Sequence, residues 1–358
     1  MKVKRRDLIE GCIVKEDIFS QSVHPIITKK TIITKDILEV LEAFLIDEVS
    51  IEKTLQNGEP YLYNESHEET IETAKHTSFY SDYTKAVEVY KTEFLKWQAG
   101  SSINILKIRE IIIPLLIRFF NETNELLLFH RYTKHENYLF HHSIATGLIS
   151  GFLALKQNIP SGEAAQIALA GVMADSGFSK VDPKVLNKTK NLSIQEEEEI
   201  RKHPLYSYNL LKNIPSLKDA VKLAVLQHHE RLDGSGYPLK ESAKRIHKFS
   251  RFLAVADFYH KMCTGEGASA ALSPFKVVEI MTEDSFGKFD IEIVQVLLRH
   301  VTKFSLGSKV KLNDGSIGDV MFVDTKSPLR PIIKVEKTDQ LLDLRTNRAY
   351  FIDHIIKI

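Results

Sequence analysis

The sequence predicts a mainly α protein: a long helical domain with a small α+β module before it and a small β module after it. Three observations predict this. From about residue 124 to 302, long amphipathic runs follow one another through short polar links, and no alternating strand pattern competes. The first 57 residues hold short β-branched segments punctuated by Gly and Pro. Residues 305–358 alternate and turn, with Asp314-Gly315 between two alternating runs, a hairpin signal.

In the first module, Gly11 to Ile18 and Pro25 to Thr28 read as strands. Thr34 is placed to cap a helix through Ile37, Leu38, Val40, Leu41 and Phe44, and Glu48 to Lys53 alternates as a closing strand. Residues 58–123 read as a helical connector and a possible homodimer element. Phe79, Tyr83, Ala86, Val87, Val89, Tyr90 and Phe94 form an apolar stripe for packing on the next domain or on a second copy. Pro114 is expected to kink the following helix or mark a junction. Residues 124–304 form the helical domain, with runs such as Ile144–Leu155, Ala164–Met173, Ile194–Lys202, Leu217–His228, Lys248–Met262 and Ile291–Val301. Residues 305–358 form a small barrel or meander.

The 358 residues carry a formal net charge of +1. No global field, basic stripe or aromatic platform calls for a nucleic-acid polymer. Cys12 and Cys263, the two cysteines, make neither a disulfide framework nor a zinc ribbon, which fits a reducing compartment. The first residues form no apolar signal core. The apolar run Ile103–Phe120 carries Lys107, Arg109, Glu110 and Arg118, so no membrane span is expected. A cytoplasmic protein is the expectation.

The most unusual string is Gln227-His228-His229-Glu230-Arg231-Leu232-Asp233-Gly234-Ser235-Gly236-Tyr237-Pro238. Neutral imidazole is the commonest metal ligand. Two in succession can serve a metal if the backbone bends, as Gly234 and Gly236 allow. On these residues alone, a polar helix end followed by a surface turn is an equal reading. Upstream and downstream stand His142, Asp175, His203 and Asp257. Asp175 and Asp257 each follow an apolar helical run, where a carboxylate is costly unless paired or metal-bound. Histidines sharing carboxylates are the usual protein side of a two-metal hydrolase.

Together these residues resemble the HD-GYP domain, the subgroup of HD-superfamily phosphohydrolases that cleaves cyclic di-GMP. His142, Asp175, His203-Pro204, the whole string His228–Pro238 and Asp257 occur in that family's order. The resemblance covers about residues 124–302 and implies an all-helical HD-type metallohydrolase domain. It implies two divalent metal ions, iron or manganese. His142, Asp175 and Asp257 would surround one, and Asp175, His203, His228 and His229 the other. Asp175 would bridge them. The loop Arg231, Asp233, Gly234, Gly236, Tyr237 and Pro238 would shape the cyclic di-GMP pocket, with Arg231 meeting phosphate charge and Tyr237 stacking on a guanine.

This sequence departs from the pattern. The family's His-Asp doublet reads Ala174-Asp175, and the lysine that follows is replaced by Phe178, with Lys180 out of register. Tyr138 stands where some members place a glutamate for a third metal. Occupancy of the His142 side is therefore in doubt. Two readings follow: a weakened cyclic di-GMP phosphodiesterase releasing pGpG or GMP, or an inactive module that binds the dinucleotide or a signalling protein partner.

Overall fold

A computed structural model describes residues 2–4, 8–18, 25–34, 37–38, 41, 46, 48–58, 61, 67–121, 125–186, 188, 192–265, 270–283 and 287–357. The expected helix residues Val40 and Phe44 lie outside these. The chain divides into two compact units, Met1–Ser78 and Phe79–Ile358.

In the first unit, strands β1 (Lys2–Lys4) and β2 (Glu48–Ser50) pair antiparallel, Val3 opposite Val49. Isolated bridges join Ile13 to Ile32, Val14 to Ile51 and Ile18 to Ile27. Their inward side chains, with Leu8, Cys12, Ile33 and Leu41, make a separate small core. The Thr34 hydroxyl accepts from the Ile37 amide at 3.4 Å, as the sequence predicts for a cap.

The second unit is built on helices. Helix α1 (His67–Gln98) contributes Phe79, Tyr83, Val87, Tyr90, Phe94 and Trp97 to one large core. Burying a side chain of this kind is worth roughly 1.5–3 kcal/mol, which holds this heavily charged helix against the domain. The stripe is thus packed on its own chain. Glu93 on α1 accepts from Lys96 at 2.8 Å and from Lys107 at 2.7 Å, and the Lys107 bond leads in lowering its pKa. Lys107 lies on α2 (Ile105–Asn121). Pro114 does not end α2, because Ile112, Leu115, Leu116 and Phe119 anchor it on both sides of the missing amide.

Helices α3 (Tyr138–Lys156) and α4 (Ser161–Met173) form the centre. They approach closely because glycine faces glycine. A Cβ on Gly171 would stand 2.7 Å from the Gly147 Cα. Helix α3 is long and apolar enough to cross a membrane, but 78% of that stretch is buried in the domain. Around the pair lie α5 (Ile194–Ile200), α6 (His203–Leu211), α7 (Asp219–Gln227), α8 (Lys248–Thr264), α9 (Pro274–Thr282) and α10 (Ile291–Val301). The predicted run to Lys202 stops at Ile200. His203-Pro204 opens the next helix, because proline at the first turn costs no intrahelical bond.

The end of the chain is one antiparallel sheet of five strands. These are β3 (Lys309–Leu312), β4 (Ile317–Phe322), β5 (Ile332–Val335), β6 (Leu341–Asp343) and β7 (Ile352–Lys357), in the order β6-β5-β4-β3-β7. Lys311 pairs with Ile317 across the Asp314-Gly315 turn, where Gly315 has φ of +87°. The inward residues Val310, Leu312, Val320, Ile333 and Ile352 join the helical core. The mainly α architecture with small β-containing flanks is the one the sequence predicts.

Candidate metal centre

Five helical segments bring the predicted ligands together. His142 projects from the second turn of α3. Asp175 stands two residues past the end of α4 and is the N-cap residue of the 3-10 turn Ser176–Lys180. His203 opens α6, His228 and His229 follow α7, and Asp257 lies on α8. Ser207 on α6 fixes Asp175 against His203. Its hydroxyl donates to the Ala174 carbonyl at 2.6 Å and accepts from the Gly177 amide at 2.7 Å.

Asp175, His203, His228 and His229 offer ligand atoms all within 4.8 Å of one another. Oδ1 of Asp175 lies 3.3 Å from His203 Nε2 and 3.5 Å from His228 Nε2, and those two nitrogens are 3.2 Å apart. The other ring nitrogens decide what this means. His203 Nδ1 donates to the Ile200 carbonyl at 2.8 Å, and His228 Nδ1 donates to the Val225 carbonyl at 2.7 Å. A carbonyl only accepts, so each Nδ1 carries hydrogen and each Nε2 of the neutral ring presents a lone pair. Two lone pairs and a carboxylate oxygen then converge in a buried place. That arrangement repels itself unless a cation or an added proton stands between them. The donor set of imidazole nitrogens and carboxylate oxygen suits a divalent transition metal.

On the other side, Oδ2 of Asp175 lies 3.6 Å from His142 Nε2, which is 3.0 Å from Asp257 Oδ1. Asp257 Oδ2 faces His229 Nδ1 at 3.5 Å. One carboxylate oxygen of Asp175 thus serves each side. Burial pushes the Asp175 carboxyl up, but hydrogen bonds from the His203 and His228 nitrogens, when an added proton stands there, more than reverse this and hold it well below the usual range. Asp257 behaves alike: burial raises it, and His229 and His142 bring it down. Burial lowers His203 and His229, favouring the neutral rings that metals require.

The loop wraps over this centre. Gly234 has φ of +79°, while Gly236 is needed for closeness, since its Cβ would stand 2.5 Å from the Arg231 amide nitrogen. The buried Glu230 carboxylate accepts from the Leu239 and Glu241 amides at 2.7 and 3.0 Å, pinning the segment past Pro238. Tyr237 stacks on His229 with centroids 4.7 Å apart. Asp233 is exposed and accepts from the Ser235 amide and hydroxyl. Arg231 is turned inward: its guanidinium donates to the His228 and Glu230 carbonyls and lies 4.9 Å over the Phe289 ring. Arg201, which sequence reasoning passed over, is exposed and sits 5.4 Å over the Tyr237 ring. Ser207, Glu230 and His260 were also missed. Glu230 lay inside the string already singled out, and the other two are single residues on helix faces.

The departing positions are equally well defined. Phe178 stacks on His203 with centroids 4.1 Å apart and rings 19° from parallel. Lys180 donates to the Trp97 carbonyl at 2.7 Å. Tyr138 stacks on His142 at 5.4 Å.

Fold and site together define an all-helical domain with a buried histidine–aspartate cluster able to chelate metal. An HD domain family model matches residues 128–293. Cyclic di-GMP phosphodiesterase PA4108 of Pseudomonas aeruginosa is 26% identical over 264 residues, 74% of this chain and 63% of that protein. Cyclic di-GMP phosphodiesterase PdeB of Borreliella burgdorferi is 24% identical over 208 residues, 58% of this chain and 55% of that protein. The chain therefore spans less than two thirds of the length of these relatives. The solved structure of Bd1817, an HDG"Y"P protein from Bdellovibrio bacteriovorus, shares the fold with a TM-score of 0.51 at 13% identity, covering 83% of this chain and 97% of that one. The helical part of the chain is an HD-superfamily domain related to the HD-GYP cyclic di-GMP phosphodiesterases.

Proposed function

We propose that the protein is a metal-dependent phosphodiesterase that hydrolyses cyclic di-GMP to pGpG or GMP, with activity lowered by its altered ligand set. The observation that carries this reading is the convergence of His203 Nε2, His228 Nε2 and Asp175 Oδ1, with both ring tautomers held by backbone carbonyls. Two divalent ions, iron or manganese, would supply an activated water and neutralise phosphate charge. Asp175, His203, His228 and His229 would hold one, and His142, Asp175 and Asp257 the other. Asp175 presents a separate oxygen to each side. Tyr237 offers a ring face for a guanine, beside the exposed Arg201. Arg231 supports the loop through its two carbonyl bonds, and from that position its charge acts on a phosphate through the field. Asp233, Gly234, Gly236 and Pro238 shape the turn that presents Tyr237.

A second reading, an inactive module that binds the dinucleotide or a signalling protein, is favoured by the site's own departures. Ala174 offers no donor, Phe178 covers a face of His203, and Lys180 is committed to the Trp97 carbonyl. Cyclic di-GMP turnover in excess Mn²⁺ or Fe²⁺ tests the two readings, with Ala174→His plus Phe178→Lys measured alongside. Turnover by the unaltered chain, rising in the double variant, is expected. Turnover seen only in the double variant would sink the enzyme reading.

A further inference from the structure

His260 is buried on α8, one helical turn after Asp257 and on the same face. Its Nδ1 lies 2.9 Å from His142 Nδ1, and its Nε2 lies 3.2 Å from the Thr133 hydroxyl. The hydrogen positions follow from counting protons. The Thr133 hydroxyl has one hydrogen, and it donates that to the Phe129 carbonyl at 3.1 Å. Thr133 therefore receives from His260, whose Nε2 carries the hydrogen. In a neutral ring that leaves His260 Nδ1 a lone pair, so His142 Nδ1 must be the donor across the 2.9 Å contact. The Tyr138 hydroxyl, at 3.5 Å from the same His142 nitrogen, is a longer and weaker partner. His142 Nε2 is then the nitrogen turned to Asp257 Oδ1 and Asp175 Oδ2, where a metal or an added proton would sit.

We propose that His260 is a positioning residue: the chain from the Phe129 carbonyl through Thr133 and His260 locks His142 in the tautomer that presents Nε2 to the two carboxylates. This repeats by side chains what Ile200 and Val225 do by carbonyls for His203 and His228. It rests on the reading of His142 as a metal ligand. Because Ala174 adds no donor here, the orientation of His142 carries more of the affinity on this side than a full ligand set would require.

The test uses the full chain with Mn²⁺ as the only added ligand, free ion being followed by electron paramagnetic resonance. His260→Leu removes the acceptor and is expected to weaken the weaker Mn²⁺ site about 10–100-fold, leaving the tighter one unchanged. His260→Asn sets an amide oxygen where Nδ1 stood and is expected to restore binding. Wild-type affinity in the leucine variant, or an asparagine variant as weak as the leucine one, overturns the proposal. Nitrogen-15 ring shifts of the metal-free chain supply an independent reading: His142 is expected to show a protonated Nδ1, and His260 a bare Nδ1 and a protonated Nε2. A bare Nδ1 on His142, or a protonated Nδ1 on His260, overturns the relay. Should the wild type bind no Mn²⁺, the phosphodiesterase reading fails while the ring shifts still decide the relay. Should the leucine variant not fold, the shifts and the asparagine titration decide it.

Discussion

Asp175 is the residue on which both sides of the centre depend. Its two oxygens face different histidines, so removing the charge affects both at once. Asp175→Asn is expected to lower Mn²⁺ affinity at both sites, by more than the about 10–100-fold typical of an outer-shell loss, while the far-ultraviolet circular dichroism stays helical. An Mn²⁺ isotherm matching the wild type would show that the cluster is not a metal site. A second residue gives a pH prediction. Burial, followed by the nearby charge of Lys134, pushes His141 down from 6.5 to about 4. The unfolded chain therefore takes up a proton at a higher pH than the folded one. The stability due to the neutral ring is complete above about 6.5 and is lost as pH falls toward about 4. His130 acts in the same direction, lowered by burial to about 4. In chelator, the melting temperature of the wild type is expected to fall more steeply over this window than that of His141→Asn; parallel curves would contradict it. At this scale the sequence was legible where residues cluster. His228 and His229 stand inside a string that, taken with His142, Asp175, His203 and Asp257, points to a metal site, whereas Ser207 and His260 are single polar residues on helix faces. Only the fold shows that Ser207 clamps the Ala174–Gly177 backbone or that His260 meets His142.

Elements set the spacing of these groups, and the 3-10 turn Ser176–Lys180 lies close against α6. A Cβ at Gly177 would stand 2.1 Å from the His203 carbonyl oxygen and 2.4 Å from the Ser207 amide nitrogen. Both obstacles are backbone and cannot rotate away. Gly177→Ala is therefore expected to destabilise the protein by about 1–3 kcal/mol, as overpacking does. It should also weaken Mn²⁺ binding, since Asp175 moves with the turn. Gly162→Ala, with open space around its Cβ in a helix, is the control and is expected to keep or slightly raise stability and leave Mn²⁺ binding unchanged. Urea unfolding and an Mn²⁺ titration of the two variants check this, and equal behaviour of the pair would refute it. The helices were legible from apolar spacing, and the hairpin at Asp314-Gly315 from its turn residues. Their limits were less so. His203-Pro204 reads as a helix end but opens α6, and the capping box of Ser193 and Glu196 fixes only where α5 begins. Close approaches at Gly147, Gly171 and Gly177 leave no periodic trace, because a glycine in a helical run reads only as a weak helix former.

At the scale of the whole molecule, the question is what attaches the C-terminal sheet to the helices of its unit. The apolar faces of β3, β4 and β5 continue the helical core, but the polar tie is specific. Arg330 is buried and paired with Glu279 of α9, and it also donates to the Leu344 and Tyr350 carbonyls at 3.3 and 2.6 Å. Glu279 is buried as well, and Lys276 is its other charged partner at 2.9 Å. Removing one partner of such a pair strands the other charge and costs about 3–5 kcal/mol, whereas replacing both by apolar residues is often close to neutral. Arg330→Leu is expected to lose an amount in that range in urea unfolding, with faster hydrogen exchange concentrated in β3 to β7. Glu279→Leu with Arg330→Leu is expected to recover most of the loss, short of the share owed to the two unpaired carbonyls. Mn²⁺ affinity should be unaltered in both, because no residue of the histidine–aspartate cluster lies on α9 or in the sheet. If the single variant were as stable as the wild type, apolar packing alone would attach the sheet. If the double variant were weaker than the single one, the pair would contribute net stability of its own beyond relieving a stranded charge.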